Sequence, residues 1–230
     1  MKLYQVAWAL YPRRIAVYLE EKGIAGIEMI NFDVMKVWPD PVVKELSPIG
    51  TLPILDIGTG QLIRTSTAIL GYLEDRFPTP DMIGATPEIR AKTRELMEVA
   101  DEVNTQLVLW AKNASPLFAR NGGQDMNAAT LAANAYHDRL ALMERLLGEA
   151  EGPFVSGSRI SVVDCVLMAS LQFAQEVYSV PIPDFCPKLL EWHDNFSKRP
   201  SAKPPTYPEP VLELSRRLPS FCPSSVVPPS

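Results

Sequence analysis

Apolar positions change their period once along this chain, near residue 88. Before that point they come in short runs of β character around helical patterns. After it they recur every three or four residues, the spacing of amphipathic helices. Lys2, Leu3, Tyr4, Gln5 and Val6 read as a strand, and Pro12 is placed as the first residue of a helix over 12–22 that Gly23 closes. A second strand follows over 27–32. Strand, helix, strand implies a parallel pair with a crossover, whereas residues 54–57 and 61–64, turned by Gly58, Thr59 and Gly60, read as an antiparallel hairpin. The sheet is therefore mixed. Between these elements, residues 38–41 open a short helix reaching Leu46, and Ser47, Pro48, Ile49 and Gly50 form a turn. Ser66 is placed as N-cap of an apolar helix through Ala68, Ile69, Leu70, Tyr72 and Leu73 that ends near Pro78.

Residues 79–87 read as a linker, from their proline spacing and single glycine. Beyond it Ile89, Leu96, Val99, Val103, Leu107 and Trp110 fit one helix face, and Leu131, Ala135, Leu140, Leu142, Leu146 and Leu147 a second. Ser161 and Asp164 form a capping box at the head of a buried helix through Cys165, Leu167, Met168, Leu171 and Phe173. Leu189, Leu190, Trp192 and Phe196 make a shorter helix ending before Pro200. The chain thus divides into a sheet domain over 1–78, a linker over 79–87, a helical domain over 88–200 and a Pro- and Ser-rich tail over 201–230. The tail is expected to lack a packed core of its own, apart from one short helix over 211–218. It either frays or straps over the cleft.

Composition narrows the function. With 230 residues, 47% hydrophobic and 21% charged, the chain can bury a substantial core. A net charge of −5 without a Lys/Arg cluster argues against nucleic acid as a partner. No apolar run reaches the roughly 18 residues a membrane span needs. The strand-like start has neither a basic segment nor an apolar leader, so a soluble, cytoplasmic protein is expected. Cys165, Cys186 and Cys222 are too scattered for a disulfide framework or a CxxC motif and read as reduced structural residues. His137 and His193 lack partners at metal-ligand spacing and read as solvated helix-face residues, so no metal is expected. Arg13 and Arg14 read as a solvated helix start.

Two stretches carry chemistry. A proline at the start of a strand cannot donate to a sheet ladder, so Pro53 belongs at a strand start or edge, with a cis bond one option, and leaves the Leu52 backbone free to pair elsewhere. Ten residues on, the helix start at Ser66 offers N–H groups that attract a carboxylate. Together with the capping box late in an all-helical half, Leu52-Pro53 and Ser66 resemble the cytosolic glutathione transferases, over roughly residues 2–200. The resemblance implies a thioredoxin-like N-terminal domain with a mixed sheet followed by a helical C-terminal domain. It implies glutathione at Thr51, Leu52, Pro53, Thr65 and Ser66, with Lys36 and Lys44 near its glycyl carboxylate, and a homodimer. Thr65 stands where the family usually carries Glu or Gln.

The family's strand-one Ser, Tyr or Cys has no counterpart here, since Trp8, Ala9 and Leu10 occupy that place. Tyr11 is the nearest hydroxyl. The thiolate would be stabilised by Tyr11, by backbone N–H groups near Ala9 and Leu10 with the helix dipole behind them, or by Asn113 or Ser115 from the helical domain. Trp8, Trp110, Asn113, Ser115, Leu117 and Phe118 lie where the family builds its acceptor pocket. The implied activity is conjugation of glutathione to a hydrophobic electrophile in a detoxifying role. Glutathione-dependent ether or halide cleavage and noncatalytic ligand binding are the alternatives.

Overall fold

A computed structural model describes residues 1–33, 40–149, 151–215 and 218–219. The N-terminal half contains β1 (Lys2–Gln5), α1 (Leu10–Lys22), β2 (Glu28–Asn31), α2 (Pro41–Leu46), β3 (Ile54–Asp56), β4 (Leu62–Arg64) and α3 (Ser66–Arg76). The strand order is β2-β1-β3-β4. Strand β1 runs parallel to β2, with Leu3 opposite Met29, and antiparallel to β3, with Leu3 opposite Leu55. This is the thioredoxin-like mixed sheet expected from the element order. Leu3, Ile54 and Leu55 are buried, as are Ile15 and Tyr18 of α1 and Ile69, Leu70 and Leu73 of α3.

Helix α1 begins two residues before its expected start. Proline costs nothing in a first turn, where its missing N–H would have no helical acceptor, so Pro12 sits at the third helical position and not the first. At the other end Gly23 takes the left-handed conformation (φ 69°), and the Gly23 and Ile24 N–H groups close on the Glu20 and Leu19 carbonyls. Pro41 opens α2, with the Asp40 side chain accepting from the Val42 N–H at 2.9 Å.

The C-terminal half is helical: α4 (Pro87–Ala114), α5 (Met126–Leu147), α6 (Val162–Tyr178), α7 (Pro187–Phe196) and α8 (Glu209–Ser215), with 3-10 turns at Pro116–Asn121 and Pro200–Ala202. Helix α6 runs through the middle, buried on nearly every side. Its capping box forms as the sequence predicts. Asp164 accepts from the Ser161 N–H and hydroxyl, the Val155 N–H and the Trp192 indole N–H, each at 2.8–2.9 Å. The buried face of α5 differs from expectation. Leu131 is 71% exposed, and Ala129, Ala132, Ala133, Tyr136 and Leu140 pack inward instead. Small alanines on that face let α5 lie close against α4, and Tyr136 fills the space beneath.

Three further readings are corrected. Arg13 and Arg14 are buried, because α1 packs against α6 and not against water. His137 is buried beside the Trp110 and Tyr136 rings, its Nδ1 donating to the Ala133 carbonyl at 2.8 Å, and burial lowers its pKa. Of the two readings of the tail, fraying does not hold for its early part, whose short helix α8 docks on α6 and on the 3-10 turn after α4. Arg13 donates to the Gln172 side chain and to the Ser201 and Lys203 carbonyls at 2.8 Å, Gln172 donates to the Ala202 carbonyl, and Val211 and Leu218 are buried. Arg199 closes the same seam on Glu21 with two hydrogen bonds of 2.6–2.7 Å. Cys165 and Cys186 are free and buried, whereas Cys222 lies outside the described residues. None of the described helices is long and apolar enough to cross a membrane.

Candidate functional site

A cleft of about 720 Å³ opens between the two halves. The sheet domain supplies Val6, Ala9, Tyr11, Pro12 and Arg14 together with residues 50–53 and 65–67. The opposite wall is Asp101, Thr105, Val108 and Lys112 of α4 and Phe118 of the following 3-10 turn. A smaller cavity of about 240 Å³ between Leu147, Phe154 and Lys188 brings together no comparable set of helix starts. The larger cleft is therefore the candidate site.

Ala9 is the N-cap of α1 and has no side chain with which to cap it. Its own N–H is engaged by the Val6 carbonyl at 2.9 Å. The N–H groups of Leu10 and Tyr11 have no carbonyl one turn back in the helix, so the helix start is a donor pair backed by the dipole. Leu10 turns its side chain into the core at 5% exposure and does not itself line the cleft. Tyr11 lines the cleft, with the Arg14 guanidinium 4.9 Å from its ring centroid. Burial raises the Tyr11 pKa, against the lowering effect of Arg14 and with a further rise from Asp101. The phenol therefore remains a protonated donor at neutral pH.

The second helix start faces the same space. Leu52-Pro53 is a cis peptide, as the sequence allowed, and β3 begins immediately after it. Thr65, not Ser66, is the N-cap of α3, its hydroxyl accepting from the Ala68 N–H at 3.4 Å. Thr65 is held at φ 71° and ψ 140°, a conformation costing a non-glycine residue on the order of 1–3 kcal/mol. That conformation places Ser66 as the first helical residue, buried at the cleft floor. The Ser66 and Thr67 N–H groups are again first-turn donors without a helical acceptor.

Beneath the floor lies a group the sequence did not single out for this place. Arg14, 1% exposed, reaches Ser66 Oγ at 3.3 Å and Asp101 Oδ1 at 2.5 Å. The Asn104 amide lies against the guanidinium, and the amide orientation that satisfies both its ends sets its oxygen 3.1 Å from Arg14 Nε and lets its nitrogen donate to Ser170 Oγ at 2.9 Å. Thr67 Oγ1 donates to Asp101 Oδ2 at 3.2 Å. Burial pulls the Arg14 pKa down and the Asp101 carboxylate pulls it back up. Asp101, Thr105, Val108 and Lys112 fall at helical intervals of four, three and four, so one stripe of α4 faces the cleft. That spacing was visible in the sequence, but the buried apolar stripe of α4 masked it.

The remaining expected site residues are placed elsewhere. Trp110 is buried in the helical core, 5.9 Å from the Tyr136 ring, since it follows the inward stripe of α4. Asn113 donates to the Leu109 carbonyl on its own helix at 2.8 Å. Ser115, fully buried, accepts from the Leu117 N–H and so caps the 3-10 turn. Leu117 packs on the helical core and Trp8 on the apolar core, neither lining the cleft. Of the expected acceptor residues, Phe118 alone is brought to the cleft wall. Lys44 is exposed on α2 away from the lining, and Lys36 lies outside the described residues. Among the described residues no cluster of three His, Cys, Asp or Glu is placed to hold a metal ion.

Two family models match the chain: the glutathione S-transferase N-terminal domain over residues 3–81 and the C-terminal domain over residues 111–204. Glutathione S-transferase 2 of Saccharomyces cerevisiae is 26% identical over 218 residues, 88% of each chain. Maleylacetoacetate isomerase of Pseudomonas aeruginosa is 27% identical over 207 residues, 87% of this chain and 93% of the relative. Among solved structures, a glutathione S-transferase of Methylobacillus flagellatus with glutathione bound superposes with a TM-score of 0.75 at 22% identity, covering 88% of this chain and 96% of that one.

Proposed function

Because the chain belongs to the glutathione S-transferase family, we propose that it holds glutathione beside Leu52 and Ser66 and joins the thiol sulfur to a hydrophobic electrophile. The observation that carries this reading is the convergence of two helix starts, with first-turn N–H groups that have no helical acceptor, and of the Leu52 backbone on one void, closed opposite by Val108 and Phe118. Ser66 Oγ accepts from Arg14, so the hydroxyl proton is left to donate to the γ-glutamyl carboxylate. Asp101 receives the γ-glutamyl ammonium, a charge that Thr65 cannot match. The Leu52 N–H and carbonyl hold the cysteinyl unit. The assembly we propose is a homodimer pairing α3 of one subunit with the start of α4 of the other.

Ser66→Ala should weaken glutathione binding by about 1–3 kcal/mol, the order of a hydrogen bond to a charged group, or roughly five- to a hundredfold in Kd. Calorimetric titration measures it, and unchanged affinity would remove Ser66 from the site.

The reacting species is the thiolate, and the start of α1 stabilises it through the Leu10 and Tyr11 N–H groups and the helix dipole. On this account Tyr11→Phe leaves the thiol pKa of bound glutathione nearly unchanged, as read by thiolate absorbance against pH. A rise of one unit, about 1.4 kcal/mol, would transfer the role to the phenol. Steady-state conjugation of an aromatic halide, run beside glutathione calorimetry, tests the whole reading. Binding without turnover would favour a noncatalytic binder, the reading to which the missing hydroxyl at Trp8, Ala9 and Leu10 points.

A further inference from the structure

The stripe of α4 along the cleft ends in a charge that nothing in the cleft answers. Asp101 and Lys112 stand eleven residues apart, about 16 Å along the helix. At one end Asp101 is satisfied by Arg14 and Thr67. At the other, Lys112 is exposed on the cleft wall and forms no ion pair among the described residues, whereas Lys92 at the far end of α4 is paired with Glu149. Val108, one turn before Lys112, and Phe118 flank it with apolar surface. The charged γ-glutamyl end of glutathione is provided for at the Ser66 end, a helix length away. The Lys112 cation beside the apolar wall of Val108 and Phe118 is thus set for a ligand that joins an anion to an apolar body.

We infer that the electrophile carries a carboxylate, seated on the Lys112 ammonium, beside an apolar body that lies against Val108 and Phe118. This rests on the glutathione reading above and adds the class of acceptor. An aryl enone acid satisfies the geometry and the chemistry. The thiolate sulfur bonds to the β-carbon, the π pair of the double bond moves to the α-carbon, and that carbon takes up a proton in place of the one the thiol released. No leaving group or oxidant is required, and the carboxylate stays intact as the anchor.

The experiment compares para-acryloylbenzoate with its methyl ester, as substrates and as preformed glutathione conjugates. The wild type should favour the acid by about fivefold in kcat/KM and bind its conjugate about fivefold more tightly, the size of a partly exposed ion pair. Lys112→Gln should bring the acid-to-ester ratio to unity in both assays, and Lys112→Arg should restore it. An unaltered ratio in Lys112→Gln, or a wild-type preference for the ester, overturns the inference. The conjugate titration needs no turnover, so it decides the matter even for a noncatalytic binder. Glutathione alone gives the reference: binding of glutathione with equal affinity for the two conjugates defeats only the acceptor class, whereas no binding of glutathione defeats the parent reading and this inference with it.

Discussion

Arg14→Met should lower the stability of the folded chain by about 3 kcal/mol and the melting temperature by about 6–12 °C. The guanidinium is buried among Asp101, Ser66 and Asn104, and methionine fills its volume without replacing any of those contacts. Removing one partner of such a pair leaves the other without its counter-charge in a place poor in water. Asp101 is 36% exposed at its side chain, and water relieves part of its loss, which sets the estimate at the lower end of the range for buried pairs. Glutathione affinity should fall further than in Ser66→Ala, because both Ser66 Oγ and Asp101 lose the group that orients them. Differential scanning calorimetry with glutathione titration checks both parts. A stability loss below about 0.5 kcal/mol would mean that the guanidinium escapes to solvent and that this contact does not join the two halves.

Glu74→Ala is expected to cost as much or more, about 3–5 kcal/mol, with no ligand involved. Its carboxylate accepts from the Tyr18 hydroxyl and the Lys22 ammonium, both at 2.6 Å, and from the Met82 N–H at 3.3 Å. The Lys22 and Glu74 side chains are 0% and 5% exposed, so alanine leaves an ammonium and a phenol buried without their acceptor. Burial, then the hydrogen bond to Glu74, pushes the Tyr18 pKa far up, which keeps the phenol a donor throughout the usable pH range. The pairing specifies geometry more than it adds stability. The double replacement Lys22→Met with Glu74→Leu should therefore recover the part of the loss due to the unpaired ammonium, while the Tyr18 phenol stays without its acceptor. Chemical unfolding of the two single variants and the double variant forms the cycle that measures this. Additive losses would contradict it.

What could be read from the sequence follows from how local each signal is. Pro53, Gly23 and the Ser161–Asp164 box act within a few residues, so element order, the mixed sheet and the cis option at Leu52-Pro53 were legible. The placement of Ser66 missed by one residue because the strained Thr65 takes the capping role, and no propensity favours threonine at φ 71°. Arg13, Arg14 and His137 read as solvated because charge usually marks a wet surface, yet each is covered by an element more than 25 residues away in sequence or by its own helix pair. Trp110 and Phe118 looked alike as aromatic candidates. One falls on the inward stripe of α4 and the other on the turn beyond it, a difference that depends on how α4 is rotated against α5.

The seam between Arg13 and the carbonyls of Ser201 and Lys203 has a consequence for synthesis. Its two sides lie 188 and 190 residues apart. A ribosome adding about 5–20 residues per second needs on the order of 10–40 s to make that stretch. Once residue 78 is made the sheet domain is complete in sequence, yet until Gln172 and then the carbonyls of Ser201 and Lys203 follow, the guanidinium that α1 will bury lacks those partners. The nascent chain therefore carries one face of α1 open to water until almost its last described segment has emerged.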